Sequence, residues 1–131
     1  MRWECSLTDR VFVFVGRVLK LYPRISKLGP PYAHIALQLC KAASAIGAAL
    51  EEGAVGASAG PRDMGLKHAI ALRESREANY WLRVLVADGV MKDELMPLVQ
   101  ESREFVAMLT TSVRKLRRRK RRRPIEQSDA A

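Results

Sequence analysis

The sequence predicts an all-α protein, an antiparallel up-down four-helix bundle with a basic C-terminal extension. Three observations support this fold. Turn-forming residues divide the 131-residue chain into four segments of helical length joined by short connections. Apolar residues recur in these segments at spacings of three and four, the period of an amphipathic helix. Positive charge is concentrated behind the last segment, so we expect a bundle over residues 1–116 and a basic, flexible tail over residues 117–131.

The first segment is predicted to be helical from Thr8, a suitable N-cap, to about Lys27. Its apolar stripe consists of Val11, Phe14, Val15, Val18, Leu21, Tyr22 and Ile25. Propensity alone would also allow a strand over residues 11–15. The helical period continues for about four turns, however, which is longer than most strands. The sequence therefore favours a helix.

The second segment opens with Pro31, a residue suited to the first position of a helix. Its apolar stripe consists of Ile35, Leu39, Ala42, Ile46, Ala49 and Leu50. Residues 42–49 are almost all small, which lets another helix approach closely. The Gly-, Ala- and Ser-rich stretch 53–61 then ends the segment.

The third segment runs from Pro61 to Asp88, with Gly89 as its left-handed stop. A fourth helix is expected to begin near Asp93, which places Pro97 in its tolerant first turn. Its heptad seam consists of Leu95, Leu98, Ser102, Phe105, Leu109, Ser112 and Leu116. Helix-forming residues continue after the seam stops, so we expect a charged helical extension that ends at Pro124.

The basic residues behind the seam are the strongest functional signal. Nine of the 23 basic residues are Arg114, Lys115, Arg117, Arg118, Arg119, Lys120, Arg121, Arg122 and Arg123. Residues 1–113 hold 14 basic and 12 acidic residues, so the rest of the chain is nearly neutral. A block of like charge repels itself unless a polyanion neutralises it, which predicts binding to the backbone of RNA or DNA. The alternative is a solvated tail that only aids solubility.

Cysteine usage and hydropathy indicate the compartment. Cys5 and Cys40 are too few for a disulfide framework and lack the spacing of a metal site, which favours inert thiols in a reducing environment. No uncharged stretch reaches the roughly 18 apolar residues of a membrane span, and the N-terminus lacks the features of a secretion signal. We therefore expect a cytoplasmic protein with no membrane contact.

Two motifs carry a family resemblance. The third segment combines Lys67, Ile70-Ala71-Leu72, Glu74, Glu77 and Tyr80-Trp81-Leu82, and the second contains Ser44-Ala45-Ile46-Gly47-Ala48-Ala49-Leu50-Glu51-Glu52. Together they resemble the signature of the small four-helix-bundle proteins often encoded in intervening sequences of bacterial large-subunit ribosomal RNA genes. The resemblance extends over roughly residues 7–116. Ala49 stands where this family commonly has Asn, and the basic tail lies outside the resemblance.

The resemblance implies a left-handed bundle that assembles into a ring-like homopentamer and has no known catalytic activity. A related branch of the family serves diversity-generating retroelements as an accessory protein, a basic pentamer that binds nucleic acid and the partner reverse transcriptase. The tail fits that branch, but the helical motifs are shared, so both branches stay open.

A carboxylate is expected inside an apolar stripe of the third helix. The stripe consists of Leu66, Ile70, Glu77, Trp81 and Val84. Glu77 would need a partner there, either Arg73 or a residue of a neighbouring helix or subunit. An acid/base pair of Glu74 and Glu77 is disfavoured because no nucleophile, metal cluster or phosphate loop accompanies it. We expect structural or interface roles for Arg73, Glu74, Glu77, Tyr80 and Trp81.

The remaining candidates also indicate packing. His34 and His68 lack ligand spacing, so we expect neither a metal nor another cofactor. Tyr80 and Trp81 could stack a base, but a Trp on an apolar stripe is more often core. The third helix is also apolar around Ala69, Leu72 and Tyr80, and we expect this excess surface in an oligomer contact.

The sequence thus predicts a non-enzymatic, oligomeric scaffold that binds nucleic acid, RNA in preference to DNA, through its gathered basic tails. The first alternative is an accessory protein of a diversity-generating retroelement that binds its reverse transcriptase together with RNA or DNA. The second is a protein-interaction adaptor whose tail contacts the acidic surface of a polymerase or reverse transcriptase.

Overall fold

The predicted four-helix bundle is confirmed. The computed structural model describes residues 6–56 and 60–130, with the side chains of residues 6–54, 60 and 62–119. The helices are α1 (Leu7–Ser26), α2 (Pro30–Gly56), α3 (Pro61–Ala87) and α4 (Lys92–Ala130). Helices that follow one another along the chain pack side by side, and α1 also contacts α4, which closes the bundle. No strand is present in the described ranges.

Helix α1 begins two residues earlier than Thr8 would place it. Ser6 is the N-cap, and its hydroxyl accepts a hydrogen bond from the Asp9 amide at 3.1 Å. Capping by Ser6 places the Asp9 carboxylate in the first turn, where the helix dipole favours negative charge. The predicted apolar stripe is confirmed, with Val11, Phe14, Val18, Leu21 and Ile25 buried.

Helix α2 supplies the small residues that let its neighbours approach closely. It begins at Pro30, one residue before the predicted start, after Gly29 with a φ of 128°. The centre of α2 is buried, and a Cβ atom on Gly47 would lie 3.7 Å from Val11 and 3.8 Å from Val15. The prediction of close helix packing at residues 42–49 is therefore confirmed.

The stripe predicted to face the core of α3 was wrong. The buried residues are Ala71, Ser75, Ala78, Leu82 and Leu85. Leu66 is 57% exposed and Glu77 is exposed, while the other members of the predicted stripe are only half-buried. Three of the five buried residues are small, because α3 lies close to both α2 and α4. A helical wheel on which bulky apolar residues define the core face does not identify such small residues.

Helix α4 confirms the heptad seam. Leu95, Leu98, Ser102, Phe105, Leu109 and Leu116 are buried, and Ser112 is half-buried. The Phe105 ring meets the Phe14 ring edge-on, with centroids 5.2 Å apart. The predicted stop at Pro124 was wrong, since α4 continues to Ala130. A proline removes one backbone hydrogen bond, which a helix accommodates with a local bend when the flanking residues favour helix.

Among the residues that the structure describes, one helix is long and apolar enough to cross a membrane by length and composition alone. It covers Pro30–Ala54 of α2, with a mean hydropathy of 1.3. This is a weak sign, because the core helix of a bundle has the same properties, and α2 packs between α1 and α3.

Candidate nucleic-acid interface

The basic block begins while α4 is still packed on the bundle. Val113 and Leu116 are 3% and 6% exposed, and a Cβ atom on Gly65 of α3 would lie 3.5 Å from the Leu116 Cβ. The residues between and after these anchors are exposed, namely Arg114, Lys115, Arg117, Arg118 and Arg119. The buried seam therefore holds the first five cations in a fixed helical arrangement around the solvent side of α4.

Helix α4 extends past the end of its neighbour. The pairs His68–Ser112 and Gly65–Leu116 join α3 to α4 in opposite chain directions, so Pro61 lies roughly level with residue 120. The part of α4 from residue 120 onward is about 16 Å long at 1.5 Å per residue and extends beyond α3. Lys120, Arg121, Arg122 and Arg123 belong to this part of α4, but their side chains lie outside those that the structure describes.

Three carboxylates of α4 precede the basic block along the helix and have their own cations on α1. Arg10 of α1 donates to Glu101 at 2.6 Å and to Glu104 at 2.7 Å, and this bonding holds the pKa of the Glu104 carboxyl below its usual range. Arg24 pairs with Glu94 at 2.5 Å and likewise lowers the pKa of that carboxyl. These acids are therefore neutralised by α1.

The exposed cations after Val113 have no such partners. Among the described side chains, none of the five between Arg114 and Arg119 makes an ion pair. Arg118 Nε instead lies 3.5 Å from the backbone carbonyl of Arg114. Their charges remain available to an external polyanion, because no carboxylate in the described part of the bundle satisfies them.

His68 is a packing residue next to this region. Its Nδ1 lies 2.5 Å from the Ser112 hydroxyl, and burial lowers the pKa of the imidazole. His34 is exposed. The described residues contain no cluster of His, Cys, Asp and Glu that could hold a metal ion. Cys40 is half-buried, which raises the pKa of its thiol, and Cys5 lies outside the described range.

The residues proposed from helix three do not form one cluster. Arg73 pairs with Glu74 at 3.2 Å rather than with Glu77, and Glu77 makes no ion pair within the described ranges. Trp81 is half-buried against the core, as expected for packing. Tyr80 meets the Trp81 ring edge-on at 5.0 Å but is 50% exposed.

Helix α1 also carries large exposed apolar side chains, which the sequence analysis did not identify. Phe12 is 78% exposed, Val13 60% and Leu19 56%. Phe12 and Leu19 line a groove of about 310 Å³ between α1 and α2, with Gly16 and Gly47 also in its lining. The signal was present in the unbroken apolar run 11–15, only part of which can face the core of one bundle.

The fold and the exposed cations define an all-α bundle with a cationic helical extension. No family model matches the sequence, and no curated protein is significantly similar to it. Among solved structures, the chain is similar to the crystal structure of a protein of unknown function from the S23 ribosomal protein family of Bacteroides thetaiotaomicron. The two chains share 22% sequence identity with a TM-score of 0.72, and the match covers 82% of this chain and 98% of that one. Identity this low establishes the fold alone.

Proposed function

We propose that this protein is a non-enzymatic, oligomeric scaffold that binds RNA through the C-terminal end of α4. One observation carries the proposal: five exposed cations surround a helix that Val113 and Leu116 anchor to the bundle, with no carboxylate partner among the described residues. Anchoring matters because cations held in place lose less conformational entropy when they bind phosphates.

The chemistry of this helix suits a phosphate backbone rather than particular bases. Arginine forms paired hydrogen bonds with phosphate oxygens, and successive residues of a helix spread these cations around its circumference. Phosphate contacts carry no sequence information, so binding is expected to depend steeply on salt and weakly on sequence. RNA is favoured over DNA by the sequence resemblance and by the ribosomal family name of the structural neighbour.

Assembly would gather several such helices. The exposed apolar face of α1, with Phe12 and Leu19, is a better candidate for the subunit contact than α3, whose outward face carries arginines. The family resemblance favours five subunits in a ring. Several tethered basic helices raise the effective concentration of cations at one RNA strand, which increases avidity without any new contact.

The alternative function is that of a retroelement accessory protein that binds a reverse transcriptase together with RNA or DNA. The helical form of the extension favours it, since a rigid cationic helix can also dock on an acidic protein surface. A cytoplasmic location fits either function, because two cysteines without the spacing of a disulfide framework or a metal site favour a reducing environment.

Truncation tests the RNA-binding proposal. A chain that ends at Leu116 loses the seven basic residues 117–123 but keeps the whole buried seam. We expect it to keep its helical circular-dichroism spectrum and its mass in solution, and to lose most of its affinity for a labelled single-stranded RNA in fluorescence anisotropy. Equal affinity of the two chains would show that α4 beyond Leu116 does not bind RNA.

A further inference from the structure

The outward side of the α3/α4 pair carries a cluster of four exposed residues that the basic extension does not include. These residues, here called the Tyr80 cluster, are Arg76, Tyr80 and Arg83 of α3 and Arg103 of α4. Residues three and four apart on a helix are surface neighbours, so Arg76 and Arg83 flank Tyr80 on either side. Arg103 is one turn after Val99 of α4, whose carbonyl accepts a hydrogen bond from Asn79 of α3 at 3.3 Å. All four residues therefore lie on one exposed side of the bundle.

The cluster is held in place by the bundle. Arg83 Nε donates to the Asn79 side-chain oxygen at 2.8 Å, and Asn79 in turn donates to Ser102 of α4 at 2.9 Å. The Arg83 guanidinium lies over the Tyr80 ring, 5.9 Å from its centroid. Trp81, half-buried against the core, supports the same ring edge-on at 5.0 Å. Tyr80 is therefore positioned on two sides while half of its surface stays exposed.

The charges around this ring are mainly positive, although the exposed Glu77, three residues before Tyr80, is also a neighbour of the ring on α3. Within the described part of the chain, Arg76, Arg83 and Arg103 make no ion pair. Glu74 lies toward the other flank of α3, one heptad after Lys67, which pairs with Glu52 of α2. An exposed aromatic ring among unpaired arginines has the composition of a site that stacks an unpaired base and neutralises the adjacent phosphates.

Arg62 lies between the cluster and the basic extension along the bundle. Arg62 is exposed and lies two heptads before Arg76, so it shares the same row of α3. Arg62 lies near the N-terminus of α3, and the exposed Arg117 of α4 lies at a similar height along the bundle axis. The row from Arg62 to Tyr80 covers about 27 Å at 1.5 Å per residue. A single strand of RNA that contacts the basic extension can therefore reach Tyr80 along this row.

We propose that the Tyr80 cluster is a second nucleic-acid site, at which Tyr80 stacks an unpaired base of single-stranded RNA while Arg76, Arg83 and Arg103 bind its flanking phosphates. The inference rests on the proposed RNA binding and adds to it a preference for unpaired bases. The extension needs only phosphates, whereas the ring needs a base that is free of a duplex.

Binding to matched oligonucleotides tests the site. The probes are an oligouridylate of about 20 nucleotides, the corresponding oligodeoxythymidylate, an abasic strand of equal length and a duplex. We expect Tyr80→Ala to lower the affinity for oligouridylate about tenfold and to leave the abasic strand and the duplex unaffected. Tyr80→Phe keeps the ring and should bind as the unmodified protein does. Arg83→Ala should weaken binding to the oligouridylate and to the abasic strand alike.

Arg17→Ala is the matched control, because Arg17 is an exposed arginine of α1 on another face of the bundle. Unchanged oligouridylate binding by Tyr80→Ala, or an equal loss on the abasic strand, would overturn the site while leaving the extension as the RNA contact. A fall in the solution mass of Tyr80→Ala would assign Tyr80 to a subunit contact and also overturn it. If the full chain binds none of the probes, the proposed function fails together with the site. A similar loss with oligodeoxythymidylate would retain the site and remove its selectivity for RNA.

Discussion

The side-chain amide of Asn79 on α3 donates a hydrogen bond to the hydroxyl of Ser102 on α4 at 2.9 Å, inside the packed face of the bundle. Ser102 is fully buried and donates onward to the carbonyl of Val99, and Asn79 also reaches that carbonyl at 3.3 Å. This polar pair joins two helices within a mostly apolar seam, so a shift of α3 along α4 by one residue would break it.

Asn79→Ala is expected to destabilise the bundle by about 1 kcal/mol, because its part-buried hydrogen bonds to Ser102 and to the Val99 carbonyl are lost while the Ser102 hydroxyl keeps its own bond to Val99. Chemical denaturation followed by circular dichroism measures the change. Gln100→Ala, at an exposed position of α4, is the control and should have little effect. Equal stability of all three proteins would mean that the Asn79–Ser102 bond adds nothing to folding.

The sequence predicted the fold well because periodicity and turn residues act locally. The α1 stripe around Phe14 and the α4 seam around Phe105 were both found by spacing alone, and these two rings meet in the core. The core face of α3 was not found, since its buried residues include Ala71, Ser75 and Ala78, which carry little hydropathy signal. Small residues become recognisable as core only when the closeness of neighbouring helices is known.

Glu77→Ala tests whether Glu77 is buried, as the sequence predicted, or exposed, as in the structure. A carboxylate inside a buried stripe would leave a partner unpaired when removed, but Glu77 is exposed, so we expect almost no change in stability. Glu101→Ala should cost more, about 1 kcal/mol, because the part-buried Arg10 loses one of its two carboxylates. Thermal melts of both variants measure the difference. A large loss for Glu77→Ala alone would show that Glu77 is buried in the assembled protein.

His68 should make stability fall as the solution is acidified. Burial lowers the pKa of its imidazole below the ordinary 6.5, so the unfolded chain binds the proton first as pH falls. Stability is therefore full above about pH 6.5 and decreases as pH falls toward the folded-state pKa. Urea denaturation between neutral pH and pH 5 should show this slope, and His68→Gln should flatten it. His34→Gln, at an exposed position, should leave the slope unchanged.

The lowered pKa values of Glu94 and Glu104 predict a second, separate loss of stability. Their ion pairs with Arg24 and Arg10 contribute above the ordinary carboxyl pKa of 4.5 and are lost as pH falls through the lower folded-state values. Glu94→Gln should therefore reduce only the part of the pH dependence below pH 4.5. If Glu94→Gln instead changed the pH dependence of stability between neutral pH and pH 5, the Glu94 and His68 side chains would be coupled.

Phe12→Ser tests the apolar face of α1. Because Phe12 is 78% exposed, its removal should leave the fold of one chain intact and weaken the contact between chains. Light scattering after size exclusion should report several times the 14.7 kDa chain mass for the unmodified protein and a smaller mass for the variant. Lys20→Ser, another exposed α1 change, is the control. A monomeric unmodified protein at micromolar concentration would remove the assembly proposal and the avidity that it supplies.

Salt dependence provides the sharpest test of the basic extension. Cations that replace condensed counterions on a single strand give a log-log slope of about −0.7 for each phosphate neutralised, so about six contacts predict a slope near −4. The chain ending at Leu116 keeps only Arg114 and Lys115 of the basic block, and its slope should be much flatter. Unrelated RNAs of equal length and equal unpaired content should compete almost equally, because the extension reads phosphates rather than bases. Measuring affinity over a series of potassium chloride concentrations yields both slopes. An unchanged slope after truncation would place the phosphate contacts on the bundle, with Arg62, Arg76, Arg83 and Arg103 as the first residues to test.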